Sequence, residues 1–207
     1  NWNIGQDAQG IIYVANNDGL LTFDGSYWKK YPLPNLTIIR SLAVTDNGRV
    51  YVGAQGEIGY FEPGEKGELL YHSLNTGIPE NEKDFADVWD VVPYKGDIFF
   101  RAHKRIFQLK ENKITAYRHP SWSFLGEVNG RLICKAFQKG LLLFQNQHWV
   151  PFLKNNIMPD EAQITSVVSL DENSALVVTL KHGFYILKED ELIPFHTTDI
   201  DRIAERN

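Results

Sequence analysis

Residues 19–28 read GLLTFDGSYW, residues 140–152 read GLLLFQNQHWVPF and residues 183–195 read GFYILKEDELIPF. Three stretches share apolar letters at matched places and differ at nearly every polar one. A fixed apolar frame with free polar positions marks a structural unit repeated along the chain, and such a repeat decides the fold before any single element does.

Working outward, NIGQDAQGIIYVA (3–15) aligns with SLAVTDNGRVYVGA (41–54), pairing Gly10 with Gly48 and setting Ile4 on Leu42, Tyr13 on Tyr51 and Val14 on Val52. The same frame continues as VWDVVPYKGDIFFRAHKRIFQL, FLGEVNGRLICKAFQKGLLLF and ITSVVSLDENSALVVTLKHGFYIL. The turn positions 10, 48, 96, 130 and 173 lie 34 to 48 residues apart. Short β-branched and aromatic runs broken by Asp, Asn and Gly predict four strands, A to D, per repeat. In the first repeat these are Trp2–Gln6, Ile11–Ala15, Gly19–Phe23 and Tyr27–Tyr31. The D strand carries an apolar pair three apart: Trp28 with Tyr31, Tyr71 with Leu74, Ile114 with Tyr117, Trp149 with Phe152, Leu192 with Phe195. The opening stretches are therefore C–D hairpins.

A helix-free repeat of about 40 residues and four antiparallel strands is the blade of a β-propeller. Radial stacking covers both faces of each sheet, which a lone blade cannot do. A β-solenoid would need shorter repeats and parallel strands. The expected fold is an all-β propeller with repeats at about 1–38, 39–85, 86–120, 121–160 and 161–199. DRIAERN (201–207) matches SFLGEVN (123–129), so 200–207 reads as the first strand of a sixth repeat. Five repeats and a stump, with no initiator methionine, suggest part of a larger propeller.

Composition narrows the function. The chain has 207 residues, 43% hydrophobic and 23% charged, enough for a substantial core. Its net charge of −5 gives no support to a nucleic-acid partner. No apolar run approaches the roughly 20 residues of a membrane span. The single cysteine, Cys134, excludes an internal disulfide and reads as a small core hydrophobe.

The first two repeats, QDAQGIIYVANNDGLLTFDG and TDNGRVYVGAQGEIGYF, resemble the two-component-regulator propeller repeat of bacterial sensor proteins: D-x-x-G, an apolar–aromatic–apolar strand, then a C strand ending in an aromatic. The match is close over residues 1–62 and looser beyond, where the Asp and Gly letters are lost. The resemblance implies a periplasmic or extracellular ligand-sensing module of a signal-transduction regulator, often for glycans or their breakdown products. It carries over no binding residue, because the repeat motif is structural. The Trp89-Asp90 dipeptide falls on an A strand, unlike that of WD repeats, and neither kelch glycines nor a sialidase Asp-box is present.

Chemistry-bearing motifs are sparse. The six histidines lack metal-ligand spacing, no nucleophile elbow or phosphate loop occurs, and acidic runs such as Glu189-Asp190-Glu191 fall in turns. No catalytic residue, metal or cofactor is assigned. Topology says more: the B–C loop and the start of the A strand emerge at one end of every blade. That end collects Asn16, Asn17, Asp18, Gln55, His103, Lys104, Arg105, Gln138, Lys139, Lys181 and His182, with Arg40, Trp89 and Trp122 at A-strand starts. Arg40, Gln55, Trp89, His103, Lys139 and His182 are the expected ligand contacts. Trp89 would stack on a sugar, Arg40 and Lys139 would meet an anionic group, and Gln55 with the two histidines would bind hydroxyls. The expected partner is a small polar ligand or saccharide, with a homodimer as a candidate assembly. A protein–protein scaffold and a propeller hydrolase or lyase are the rival readings.

Overall fold

The computed structural model describes residues 1–196 and 198. The expected start of a sixth repeat at 200–207 lies outside them. Five four-stranded antiparallel sheets follow one another along the chain as propeller blades. Sheet 1 holds β1 (Asn3–Gln6), β2 (Ile12–Asn16), β3 (Gly19–Phe23) and β4 (Trp28–Tyr31); sheet 2 holds β5 (Ile39–Val44), β6 (Val50–Ala54), β7 (Glu57–Pro63) and β8 (Leu69–Ser73). Sheet 3 holds β9 (Val88–Tyr94), β10 (Asp97–Ala102), β11 (Arg105–Lys110) and β12 (Lys113–Arg118). Sheet 4 holds β13 (Trp122–Val128), β14 (Arg131–Ala136), β15 (Gly140–Gln145) and β16 (His148–Pro151). Sheet 5 holds β17 (Ile164–Ser169), β18 (Ser174–Thr179), β19 (Phe184–Lys188) and β20 (Glu191–Phe195). Two single-turn 3-10 helices, Asn75–Gly77 and Glu80–Glu82, lie between sheets 2 and 3. Trp28, Trp149 and Phe195 stand on the outermost strands, as the repeat frame requires.

The A–B turns explain why the motif letters fade. Asp7 in D-x-x-G accepts hydrogen bonds from the backbone N–H of Gln9 (3.0 Å) and Ile11 (2.9 Å) and from the Tyr13 hydroxyl (2.9 Å). Gly10 turns the chain at φ +88°, a conformation that costs glycine little. In sheet 5, Asp171 caps the N–H groups of Asn173 and Ser174, both at 2.8 Å, without a following glycine. Sheets 3 and 4 replace the cap with two positive-φ residues, Lys95-Gly96 and Asn129-Gly130, as two-residue hairpins need. Three turn chemistries serve one topology, so the letters drift while the frame stays.

The chain divides into two compact units, Asn1–Arg118 with three sheets and His119–Asn207 with two. In the first unit, sheet 1 presents Tyr13, Ala15 and Leu20 to Leu42, Val50, Val52 and Phe61 of sheet 2. Sheet 2 turns its other face, with Tyr51 and Ile58, to Val88, Val91, Phe100 and Phe107 of sheet 3. In the second unit, Phe124, Ile133 and Leu141 of sheet 4 meet Ala175, Val177, Tyr185 and Leu187 of sheet 5. Within each unit a sheet thus turns a forward face to the next sheet and a rear face to the one before it. Cys134 is fully buried in β14.

Small residues set the spacing. A Cβ at Gly53 would lie 2.4 Å from Val88 Cγ1 and 2.5 Å from Ser41 Oγ. The Ser41 hydroxyl donates to the Val88 carbonyl at 2.7 Å, so β5 and β9 are joined at the point where Gly53 makes room. The connection between sheets 2 and 3 is held by Glu82, whose carboxylate accepts from Arg105 at 2.9 Å and Arg118 at 2.7 Å. Burial favours the neutral acid, but the two guanidiniums outweigh it and hold the Glu82 carboxyl below its ordinary pKa.

Candidate functional site

The innermost strands are not regular ladders. In β5 the pairing passes from Ile39↔Ala54 to Ser41↔Gly53 and skips Arg40; in β9 it passes from Val88↔Ala102 to Asp90↔Arg101 and skips Trp89. Sheet 4 skips Ser123 and sheet 5 skips Thr165 in the same way. A bulge leaves its extra residue out of the ladder and re-aims its side chain. The repeat register places Trp2, just ahead of Asn3↔Ala15, at the equivalent point of sheet 1.

In the first unit these positions converge. The Arg40 guanidinium lies 4.1 Å from the Trp2 ring centroid and 5.1 Å from that of Trp89. The two indoles stand edge to face, 6.1 Å apart at 80°. Trp2 Nε1 donates to Asn17 Oδ1 at 2.7 Å, tying its indole to the β2–β3 turn. Arg40 Nε donates to Asp87 Oδ1 at 3.2 Å, and Asp87 bridges Gln55 through the backbone. Arg40 is mostly buried, whereas Trp2 and Trp89 are 49% and 40% exposed. The result is two water-facing indoles held by one cation whose charge a carboxylate offsets. Cation–π contacts of this kind contribute about 0.5–2 kcal/mol, the larger figure where water is excluded.

Of the expected contacts, Arg40, Gln55 and Trp89 share this cluster. Arg40, expected to meet an anionic group, forms an ion pair with Asp87 that offsets its charge. His103 is exposed in the turn between β10 and β11. Lys139 and His182 belong to the second unit, in the β14–β15 and β18–β19 turns; His182 Nε2 faces Glu161 Oε1 at 3.7 Å. Trp122, expected at this end, is 3% exposed and packs on His119 and Trp149. It pairs with Ala136 in the ladder, and its neighbour Ser123 takes the bulge. Trp2, Asn17 and Asp87 complete the cluster. Trp2 was readable from the repeat, since the register that sets Ile4 on Leu42 also sets Trp2 on Arg40. The Arg40–Asp87 pair spans 47 residues and had no local signature.

Among the described residues, no group of three or more His, Cys, Asp or Glu is placed to hold a metal ion, and no helix is long and apolar enough to cross a membrane.

The fold is that of the β-propellers. The chain is similar to the extracellular domain of BT4673 from B. thetaiotaomicron, described as a hybrid two component system, with a TM-score of 0.68 and 16% identity over 93% of this chain and 28% of that one. It is similar to a catalytically inactive virginiamycin B lyase from Staphylococcus aureus with quinupristin (TM-score 0.75, 16% identity, 95% of this chain and 70% of that one). The WD40 β-propeller domain of Doa1 is a further neighbour (TM-score 0.67, 11% identity, 92% and 66%). The chain thus spans little more than a quarter of the length of the BT4673 domain. No protein-family model and no curated protein matches it. The resemblance to two-component-regulator propeller repeats, read from the first two repeats, has its structural counterpart in the extracellular domains of BT4673 and BT3049.

Proposed function

We propose that this chain is the ligand-sensing propeller of a bacterial extracytoplasmic signal-transduction regulator, and that it recognises a saccharide or a similar small polar ligand on the Trp2–Arg40–Trp89 platform. The observation that carries the reading is the pair of exposed indoles, fixed by Asn17 and Arg40 before any ligand arrives. Perpendicular rigid rings suit the apolar faces of a bent sugar chain, and prior ordering lowers the entropic cost of binding. With Arg40 offset by Asp87, the platform suits a neutral glycan better than an acidic one.

The test is calorimetry against a panel of neutral and acidic oligosaccharides. Trp2→Ala and Trp89→Ala should each cost about 2 kcal/mol or more, a roughly 30-fold loss of affinity, as removal of an aromatic anchor does. Both side chains are solvent-facing, so circular dichroism should be unchanged. Binding that survives both substitutions would place the site elsewhere. No binding across the panel would favour the protein–protein scaffold, which the same exposed indoles could also serve.

A further inference from the structure

Within the second unit, sheets 4 and 5 enclose a cavity of about 500 Å³ at the end that carries their A–B and C–D turns, away from the B–C loops. Half-buried Leu143 of β15 and Phe152, just beyond β16, supply its apolar wall. Asn129 and Arg131 come from sheet 4, and Glu172, Glu189 and Asp190 from the turns of sheet 5. Small-molecule sites of roughly 300–1,000 Å³ combine an apolar lining with a few placed polar groups in this way.

The two walls are tied to each other. Asn129 Nδ2 donates to the Ser174 carbonyl at 3.2 Å, and the Arg131 guanidinium donates to the Glu189 carbonyl at 2.6 Å. The Lys154 N–H donates to the Asp190 carbonyl at 2.8 Å, and the Lys154 ammonium meets the Asp190 carboxylate at 3.0 Å. The cavity is therefore shaped before anything enters it.

Its remaining charges stay uncombined. Arg131 spends one N–H on a neutral carbonyl and lies 5.8 Å from the Phe152 ring centroid. Among the described residues it forms no ion pair with a carboxylate, and neither Glu172 nor Glu189 forms one with a cation. One guanidinium and two carboxylates thus line the same space without neutralising one another. An anion alone would meet the two acids, and a cation alone would leave Arg131 unmatched. We infer that this cavity is a binding site, distinct from the indole platform, for a zwitterion with an apolar side chain: a free apolar α-amino acid. Its carboxylate meets Arg131, whose planar fork suits that group, its ammonium meets Glu172 and Glu189, and its side chain lies against Leu143 and Phe152.

The test is calorimetry of the whole chain with L-phenylalanine, N-acetyl-L-phenylalanine and L-phenylalaninamide. The acetyl compound lacks the ammonium and the amide lacks the carboxylate. Each should bind about 10-fold or more weakly than L-phenylalanine, the usual loss for one charge-assisted contact. Arg131→Gln should weaken L-phenylalanine by a similar factor and leave the amide unchanged. The double variant Glu172→Gln, Glu189→Gln should weaken L-phenylalanine and leave the acetyl compound unchanged. Both glutamates are exposed, so this variant should melt as the parent does and carries the test even if Arg131→Gln fails to fold. No binding of L-phenylalanine by the parent chain, equal binding of all three compounds, or undiminished binding by the double variant would overturn the inference. Binding that Trp2→Ala or Trp89→Ala abolishes would belong to the indole platform and overturn it equally. Binding that both of those variants retain supports it, whatever the outcome with oligosaccharides.

Discussion

Gly53→Ala puts the spacing of sheets 2 and 3 to a quantitative test. The new methyl would sit 2.4 Å from Val88 Cγ1 and 2.5 Å from Ser41 Oγ, far inside contact distance. Val88 is fully buried and cannot swing into solvent. Displacing Ser41 would also break its 2.7 Å bond to the Val88 carbonyl. Overpacking costs about 1–3 kcal/mol and a lost hydrogen bond about 1 kcal/mol, so the expected destabilisation is about 2–4 kcal/mol. Urea unfolding followed by tryptophan fluorescence reads it directly. A double-mutant cycle isolates the cause. Val88→Ala alone removes two buried methyl groups and should cost about 2–3 kcal/mol. In the double variant the Cγ1 clash is gone, although Val88 Cβ at 2.8 Å and Ser41 Oγ at 2.5 Å remain close, so the summed cost should still fall short by about 1 kcal/mol. Strict additivity, or a Gly53→Ala cost below about 0.5 kcal/mol, would refute close approach as the reason for glycine.

Three further outcomes are expected. Glu82 titrates below its unfolded value near 4.3, so it adds stability above that pH and loses it as pH falls through its folded pKa; Glu82→Gln should cost about 1.5–3 kcal/mol at pH 7 and flatten acid unfolding below pH 4.3. Burial lowers the pKa of Lys135, partly offset by Asp160 and Glu161, so protonation opposes folding and stability should rise as pH climbs toward its unfolded value of about 10.4; Lys135→Met should remove that rise in chemical melts. Burial, then Glu57, push the Tyr71 phenol above its ordinary value, so its stabilising share is present below about pH 10 and lost above it; Tyr71→Phe, losing the 2.8 Å bond to Glu57, should cost about 1 kcal/mol at pH 7 and blunt the alkaline loss.

Much of the fold was legible because packing constrains letters at fixed intervals. Leu20, Ile58, Ile106 and Leu141 open equivalent C strands, and each is at most 3% exposed. Such places tolerate few residue types, so the repeat survives where turn chemistry changes. The site was only half legible. Arg40 and Trp89 stood out at strand starts, but a bulge shifts the unpaired place by one residue, and that shift moved the assignment from Ser123 to Trp122. Asp87, which decides what Arg40 can do, lies in a connection with no repeat partner to reveal it. A pairwise charge contact across 47 residues leaves no periodic trace.

The skipped inner-strand positions are also the places where this architecture can be rewritten most cheaply. A residue outside the ladder keeps no register with the next strand, and Arg40, Trp89, Ser123 and Thr165 show how little chemical kinship the position demands. Neighbours such as Ile39, Val88, Trp122 and Ile164 carry the core in their place. Randomising the codons for residues 2 and 89, with Arg40 and its Asp87 partner kept, would therefore search binding chemistry while leaving the load of folding on other shoulders, and selection acting there could retune recognition without first rescuing stability.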